Sequence, residues 1–416
     1  MSLPQVNQTI TGYVFVWQEE KIEISVSNLS YKSNNLKGEI KVKTFLPDYY
    51  EHLHQANFNF SSTRSKDELV RTLAKMCDKI DWKILVEQLR VKTLEYYRQG
   101  EPLEIISSED EIKDIHYIIE PLLPEGLMTI IYGEGGAGKS YLALFLSLLV
   151  DTHTNGYFQL DDQKHNILYL DWETDTKIIT YQYKKLCRGL GKKSYLFYKR
   201  CSLPLCQDAD SIKEKIVDIN ADIVIIDSLG VACGADPNEA QTANQLALIL
   251  RGFKTTNFLI HHTSKERTNN KTPFGSVYFT NNARNLWEIK KVQGQDTNEV
   301  NLGLFHRKAN YSRLYAPIGL RFLHEKEKIL VEKQDITEIP DLEKELPLRQ
   351  KIKNLLLGEG VLTAQEIALR LEVPQNQISV RLQNMKNRGE VVRQRDKWAV
   401  IYSGDSQDYT SDYMGV

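Results

Sequence analysis

Gly133-Glu134-Gly135-Gly136-Ala137-Gly138-Lys139-Ser140 stands between an apolar run, Met128-Thr129-Ile130-Ile131-Tyr132, and an amphipathic stretch that begins at Tyr141. Strand, glycine-rich loop, Lys-Ser and helix in that order fit G-x-x-x-x-G-K-[ST], the phosphate-binding loop. Glycines let the backbone curl with its N–H groups inward, and the helix that follows turns its positive end toward an anion. Gly133, Glu134, Gly135, Gly136, Ala137, Gly138, Lys139, Ser140 and Tyr141 are therefore the expected nucleotide-binding set, with ATP the first ligand and Mg2+ its companion. Lys139 is expected to reach the β- and γ-phosphates, and the Ser140 hydroxyl to ligate Mg2+. The plainer alternative is a glycine-rich turn that binds nothing; agreement of strand, loop, Lys-Ser and helix favours the nucleotide.

Two further apolar strands end in acids. Asp222-Ile223-Val224-Ile225-Ile226-Asp227-Ser228 places a carboxylate at the end of a buried run. In phosphate-loop folds such a strand lies beside the one feeding the loop, so Asp227 is expected next to Ser140, holding Mg2+ directly or through water. Asn166-Ile167-Leu168-Tyr169-Leu170-Asp171-Trp172-Glu173 has the same form. A carboxylate at such an edge can polarise an attacking water, with Glu173 the first candidate, Asp171 the second, and a solvated loop acid the alternative.

At 416 residues the chain exceeds one ordinary core, which implies two or three domains. Its hydrophobic and charged fractions are those of a soluble protein, and a net charge of -2 confines any nucleic-acid surface to a local patch. No apolar run is long enough to span a membrane and the N-terminus lacks signal-peptide order, so a soluble cytoplasmic protein with no membrane partner is expected. Cys77, Cys187, Cys201, Cys206 and Cys233 are scattered without a C-x-x-C pair, as suits reduced thiols. Cys201 and Cys206 could share a metal, but no histidine or second cysteine pair stands near them in sequence.

Patterning divides the chain further. Alternation over residues 12–46, broken at Gln18-Glu19-Glu20 and Ser33-Asn34-Asn35, predicts a small antiparallel sheet, and helical patterns follow near Lys66–Cys77 and Trp82–Arg98. Residues 1–110 thus read as an N-terminal α+β module without assigned chemistry, ending at the charged linker Ser107-Ser108-Glu109-Asp110-Glu111. Residues 113–332 read as an α/β core with a mainly parallel sheet, since apolar strands alternate with helices. Residues 333–346 have linker composition. Within 346–402, three short helices and a hairpin across Gln394-Arg395-Asp396 predict a winged helix-turn-helix, and the polar tail 403–416 is expected to be disordered.

The loop at Gly133–Ser140, the strands ending in Glu173 and Asp227, and the strand ending in His261-His262 together resemble the RecA-like ATPase core. Within it the chain looks most like the branch of AAA-type ATPases that contains plasmid RepA-type hexameric helicases. The resemblance spans about Ile118 to Leu323. It implies that Glu173 is the catalytic base and that His261 or His262, with His262 preferred, senses the γ-phosphate where such cores often carry glutamine. It implies that Thr263-Ser264-Lys265-Glu266-Arg267-Thr268-Asn269-Asn270-Lys271 lines a channel for one DNA strand, against the alternative of a merely solvated loop. Gly275-Ser276 and Asn282-Ala283-Arg284 resemble elements that follow in this branch. Lys308, with Arg307 next, matches the cation that reaches the γ-phosphate of a neighbouring subunit. The implied protein is a homo-oligomeric, hexameric ATPase acting on DNA. Its C-terminal helix, carrying Asn376, Gln377, Arg381, Asn384, Lys386 and Arg388, would meet duplex DNA, with Arg393, Arg395 and Lys397 on the wing; protein docking is the other use of such a module. An ATP-switched DNA-binding regulator and a recombination or repair ATPase are the rival readings.

Overall fold

A computed structural model describes residues 2–9, 11–100, 103–109, 111–263, 273–275, 277–294 and 296–401. The chain divides into two units: residues up to 132 with 140–182 and 194–286, and residues 133–139 with 183–193 and 287 onward.

The first unit opens with strands Gln5–Thr9, Gly12–Trp17, Ile22–Lys32, Asn35–Thr44 and His52–Asn59, paired antiparallel in chain order. Alternation selects the buried face: Phe15 and Trp17, then Ile22, Ile24 and Val26, then Ile40 and Val42. Helices Thr63–Met76 and Trp82–Gln99 supply Leu69, Leu73, Leu85, Val86 and Leu89 to the same core. Ser62 and Asp81 cap them by accepting from the backbone N–H groups of Ser65 and Ile84. The two outer strands lie beyond the 12–46 alternation, because Gln5–Thr9 and His52–Asn59 bury little and so show no apolar period.

The same unit carries, in spatial order, strands Phe197–Arg200, Ile167–Asp171, Ile223–Asp227, Thr256–His262 and Met128–Gly133. The first four pair in parallel. Ile167–Asp171 and Ile223–Asp227 are buried along their whole length, as apolar runs covered on both faces must be. Helices Leu205–Ile219 and Ala240–Gly252 bring Ile212, Ile216, Leu246 and Leu250 into the core. Parallel register sets Asp171 opposite Asp227.

The second unit carries Asn285–Gln293, Glu299–Ala309, Ile318–His324 and Ile329–Gln334 in that spatial order. The last three pair antiparallel, a departure from the mainly parallel sheet that composition suggested through residue 332. The reason is connection length: Glu325 N bonds Lys328 O at 3.0 Å in a tight turn, which leaves no room for a crossover helix. A second departure concerns residues 333–346. Their acidic composition reads as a linker, yet Ile336, Ile339, Leu342 and Leu346 are buried against Phe305, at spacings of three and four that short helical turns place on one face.

Helices Leu348–Glu359, Ala364–Leu371 and Gln375–Asn387 and strands Leu362–Thr363, Val391–Gln394 and Lys397–Val400 enclose Ile352, Leu356, Ile367, Ile378, Leu382 and Trp398. Thr363 starts the middle helix with a capping box: its hydroxyl accepts from Glu366 N at 3.2 Å, and Glu366 accepts from Thr363 N at 2.7 Å. The segment 264–271, Ser276 and the tail from 403 lie outside the described residues. Among the described residues no helix is long and apolar enough to cross a membrane. Cys201 and Cys206 are free thiols, and no cluster of three or more histidine, cysteine or acidic side chains suited to a metal occurs among the described residues.

Leu342 is 1% exposed, so Leu342→Ala should cost about 2–5 kcal/mol and lower the thermal transition of the second unit. A melting curve identical to the parent's would mean that the 336–346 segment is a solvated tether.

Candidate nucleotide-binding site

The Met128–Gly133 strand is buried from Thr129 onward and feeds the loop, and Lys139 opens the Lys139–Thr152 helix. Gly136 and Gly138 have φ of +72° and +86°, the left-handed region where a β-carbon is strained. A β-carbon on Gly133 would stand 2.6 Å from Ile289 O, so close packing also demands glycine there. At Gly135 and Gly136 a β-carbon would meet nothing within 4 Å, which leaves the rim of the loop open. Lys139 is buried, and its Nζ donates to the carbonyls of Gly133 at 3.0 Å and Glu134 at 2.8 Å. The ammonium therefore sits within the curl, on acceptors that a phosphate oxygen can replace. Lys291 Nζ lies 3.4 Å from the Gly136 carbonyl, a second cation at the loop.

Ser140 lies beside Asp227 and Tyr169, and its hydroxyl favours the charged form of each. Tyr169 Oη donates to Asp227 Oδ2 at 2.6 Å, with both groups buried. Burial pushes the Asp227 carboxyl up to about 6; Ser140 and Tyr169 oppose that shift, and the charges of Asp171 and Glu173 add to it. A buried acid held by hydroxyls and crowded by like charge is a site for a cation. Mg2+ keeps several waters and takes oxygens from substrate phosphates, so one carboxylate and one hydroxyl suffice and no all-protein cage is required. The donor set of Ser140 and Asp227 fits that ion.

The three acids at this edge differ in surroundings. Asp171 is fully buried: its Oδ1 accepts from the N–H groups of Glu173 at 2.8 Å and Thr174 at 2.9 Å, and its Oδ2 accepts from Tyr198 Oη at 3.0 Å. Its lone pairs are thus engaged in shaping the turn after the strand. Glu173 is exposed, and its Oε1 receives the Ser228 hydroxyl and lies 3.2 Å from His262 Nε2. Of the two candidate bases, only Glu173 is in a position to meet a water. Trp172 N donates to Asp227 O at 2.7 Å, tying the two strand ends together.

The adjacent histidines separate by the period of two that governs any strand. His261 is fully buried, its Nε2 donates to Phe274 O at 2.7 Å, and its ring stands edge-on to Phe279. His262 faces Glu173. Tyr141 is half-buried beside Gln182. Asn282 Nδ2 donates to Asn244 Oδ1 of the Ala240–Gly252 helix at 3.2 Å, and Arg284 N donates to Met128 O, at the start of the strand feeding the loop, at 3.1 Å.

In the second unit, Arg307 is engaged within its own chain: Nε and Nη2 lie 2.8 and 2.6 Å from Glu288 Oε2, and the guanidinium stands 5.0 Å over the Phe305 ring. Lys308 is half-buried, and its carbonyl accepts from His306 Nε2 at 3.0 Å. His306 stacks on Trp287 at 4.3 Å and accepts from Tyr315 N at 3.0 Å through Nδ1, which fixes a neutral tautomer; burial pulls its pKa down to about 4.

Sequence reasoning missed Tyr169, Ser228 and Lys291. Tyr169 lies mid-strand, where an aromatic reads as core, and Ser228 reads as the first residue of a turn. An exposed lysine on a strand carries no signal at all.

The α/β fold and this loop have the form of a P-loop nucleotide-binding domain. A family model described as an AAA domain matches residues 97–268, less than half of the chain. No curated protein matches the chain. Among solved structures, a KaiC-like protein of the hyperthermophilic archaeon Pyrococcus horikoshii OT3 is similar, at 16% identity and a TM-score of 0.37, covering 52% of this chain and 93% of that one. A superposition that loose carries no information about individual residues.

The folded-state value for Asp227, about 6, lies above the 3.8 of an unperturbed aspartate. Its neutral form is therefore favoured by folding: this residue supports the fold most below the unfolded value and loses that contribution as pH rises through about 6. Mg2+ requires the charged form, so Mg2+-dependent nucleotide affinity should fall as pH drops below about 6. Tyr169→Phe removes a bond that lowers this pKa and should move the fall to higher pH. Calorimetric titration of the nucleotide with and without Mg2+ between roughly pH 5 and 8 reads both effects; a metal contribution flat across that range would exclude Asp227 as the ligand.

Proposed function

We propose that the protein hydrolyses ATP through a RecA-like site and works as an oligomeric ring on DNA, moving along a strand or remodelling a nucleoprotein. The observation that supports hydrolysis best is the convergence of Glu173, Ser228 and His262 beside the strand end that carries Asp227, with Ser140 next to Asp227.

Each residue has a role that its surroundings suit. Lys139, held in the curl of the loop, balances charge on the transferred phosphate. Ser140 and Asp227 hold Mg2+, which when bound neutralises the phosphate oxygens. Glu173 orients the attacking water and takes its proton. His262, on the same carboxylate oxygen as Ser228, couples the state of Glu173 to the end of the next strand, as a γ-phosphate sensor must. Lys308 serves the site of a neighbouring subunit, since Arg307 is held by Glu288. Single-stranded DNA in a ring channel lined by the 263–271 loop, and duplex DNA on a C-terminal winged helix, are the partners this organisation calls for.

The excess of basic residues in the C-terminal helix and hairpin also suits a regulator in which ATP governs assembly on duplex DNA without translocation. Hydrolysis stimulated by single strands, with ATP-dependent strand displacement, favours the motor. Tight duplex binding with slow, unstimulated hydrolysis favours the regulator.

Lys139→Ala should abolish turnover. Glu173→Gln should retain nucleotide and lower turnover by about 10²–10⁴-fold, measured as phosphate release alongside nucleotide binding. A Glu173→Gln enzyme of parental rate would remove the glutamate from the mechanism.

A further inference from the structure

The Gln375–Asn387 helix has two sharply different sides. Ile378, Leu382 and Met385 are buried, and every other residue of the helix is exposed. At about 100° per residue, the direction opposite the buried stripe is occupied by Asn376, Val380, Gln383, Asn384 and Asn387, with Gln377 beside them. Gln383 Nε2 donates to Asn387 Oδ1 at 3.2 Å, which aligns two of the amides along this stripe. The outward face is thus carboxamide with one small branched apolar group. It holds no cation for phosphate and no large apolar anchor for a protein partner.

Cations stand to either side of it. Arg381, Lys386 and Arg388 flank the stripe, and Arg393, Arg395 and Lys397 lie on the hairpin; among the described residues none of the six enters an ion pair. Arg393 is held over the Trp398 ring at 5.8 Å and donates to Arg395 O at 3.0 Å. Residues 346–401 contain ten basic and five acidic side chains in a protein whose net charge is -2. Three of those acids are engaged locally: Glu366 in its capping box, Glu390 on Arg349 and Glu359 on Arg370. The charge suits a polyanion, and the uncharged stripe between the cations suits something other than its phosphates.

We propose that this helix reads A·T base pairs in the major groove of duplex DNA, with the flanking and hairpin cations on phosphates. The inference rests on the winged-helix reading above and adds its base preference. A carboxamide matches adenine, donating to N7 and accepting from the N6 amino group, and an apolar methyl such as those of Val380 packs on the thymine methyl. Guanine is read by arginine or lysine at base edges, and the outward stripe has neither.

Selection of bound duplexes from a random pool by the full-length protein should enrich sites with consecutive A·T pairs. On the enriched duplex, Asn384→Ala should lower the preference over a G·C-substituted duplex by roughly tenfold while leaving affinity for the latter unchanged. Arg395→Ala should weaken both duplexes alike and flatten the salt dependence. Replacing thymine by deoxyuridine in the site should weaken the parent protein by roughly threefold and leave Val380→Ala unaffected. Duplex binding with no base preference, or with preference for G·C, overturns the inference and spares the winged-helix reading. An Asn384→Ala loss that is equal on all sequences also overturns it, since the residue would then be a backbone contact. Absence of duplex binding at low salt overturns both.

Discussion

Parallel pairing levels the carboxyl ends of Ile167–Asp171 and Ile223–Asp227, and this one constraint organises the site. Two carboxylates are brought abreast at a buried edge, with a third, Glu173, two residues further on. Burial disfavours charge on Asp227, and the charges of Asp171 and Glu173 add to that cost. Donors surround them: Tyr169 on Asp227, Tyr198 and two amides on Asp171, Ser228 on Glu173. Environment then separates the three acids into distinct capacities. Asp171 is saturated and holds the turn, Asp227 is buried and seeks a cation, and Glu173 reaches the open side.

The glycine loop supplies the complementary charge. Its curl is set by left-handed glycines and by the contact that forbids a side chain at Gly133, and the Gly133 and Glu134 carbonyls hold the Lys139 ammonium within it. In the second unit a comparable economy operates at His306. Stacking on Trp287 and two backbone bonds keep the imidazole neutral and shape the chain around Lys308, while Glu288 holds Arg307.

Local chemistry was legible from residues alone. The glycine pattern, the Lys-Ser pair and the apolar strands ending in acids each state their own geometry, because the information lies within a few consecutive residues. Choices between neighbours were not legible. His261 and His262, and Asp171 and Glu173, are pairs in which the strand or turn sends one member inward, and no adjacent residue says which. Ser228 and Tyr169 acquire meaning only from Glu173 and Asp227, 55 and 58 residues away in sequence. The outer strands Gln5–Thr9 and His52–Asn59 were silent because strands that bury little have no period to display.

Sequence by itself determined that a phosphate loop joins a strand to a helix, that acids terminate two buried strands, and that a basic helix and hairpin close the described chain. These depend on backbone sterics and short-range periodicity, which residue order encodes directly. Tertiary structure alone decided that Tyr169 donates to Asp227, that Ser228 and His262 share one oxygen of Glu173, and that residues 336–346 belong to a core. Such outcomes follow from strand register and burial, properties of segments brought together across the chain, which no single stretch of residues contains.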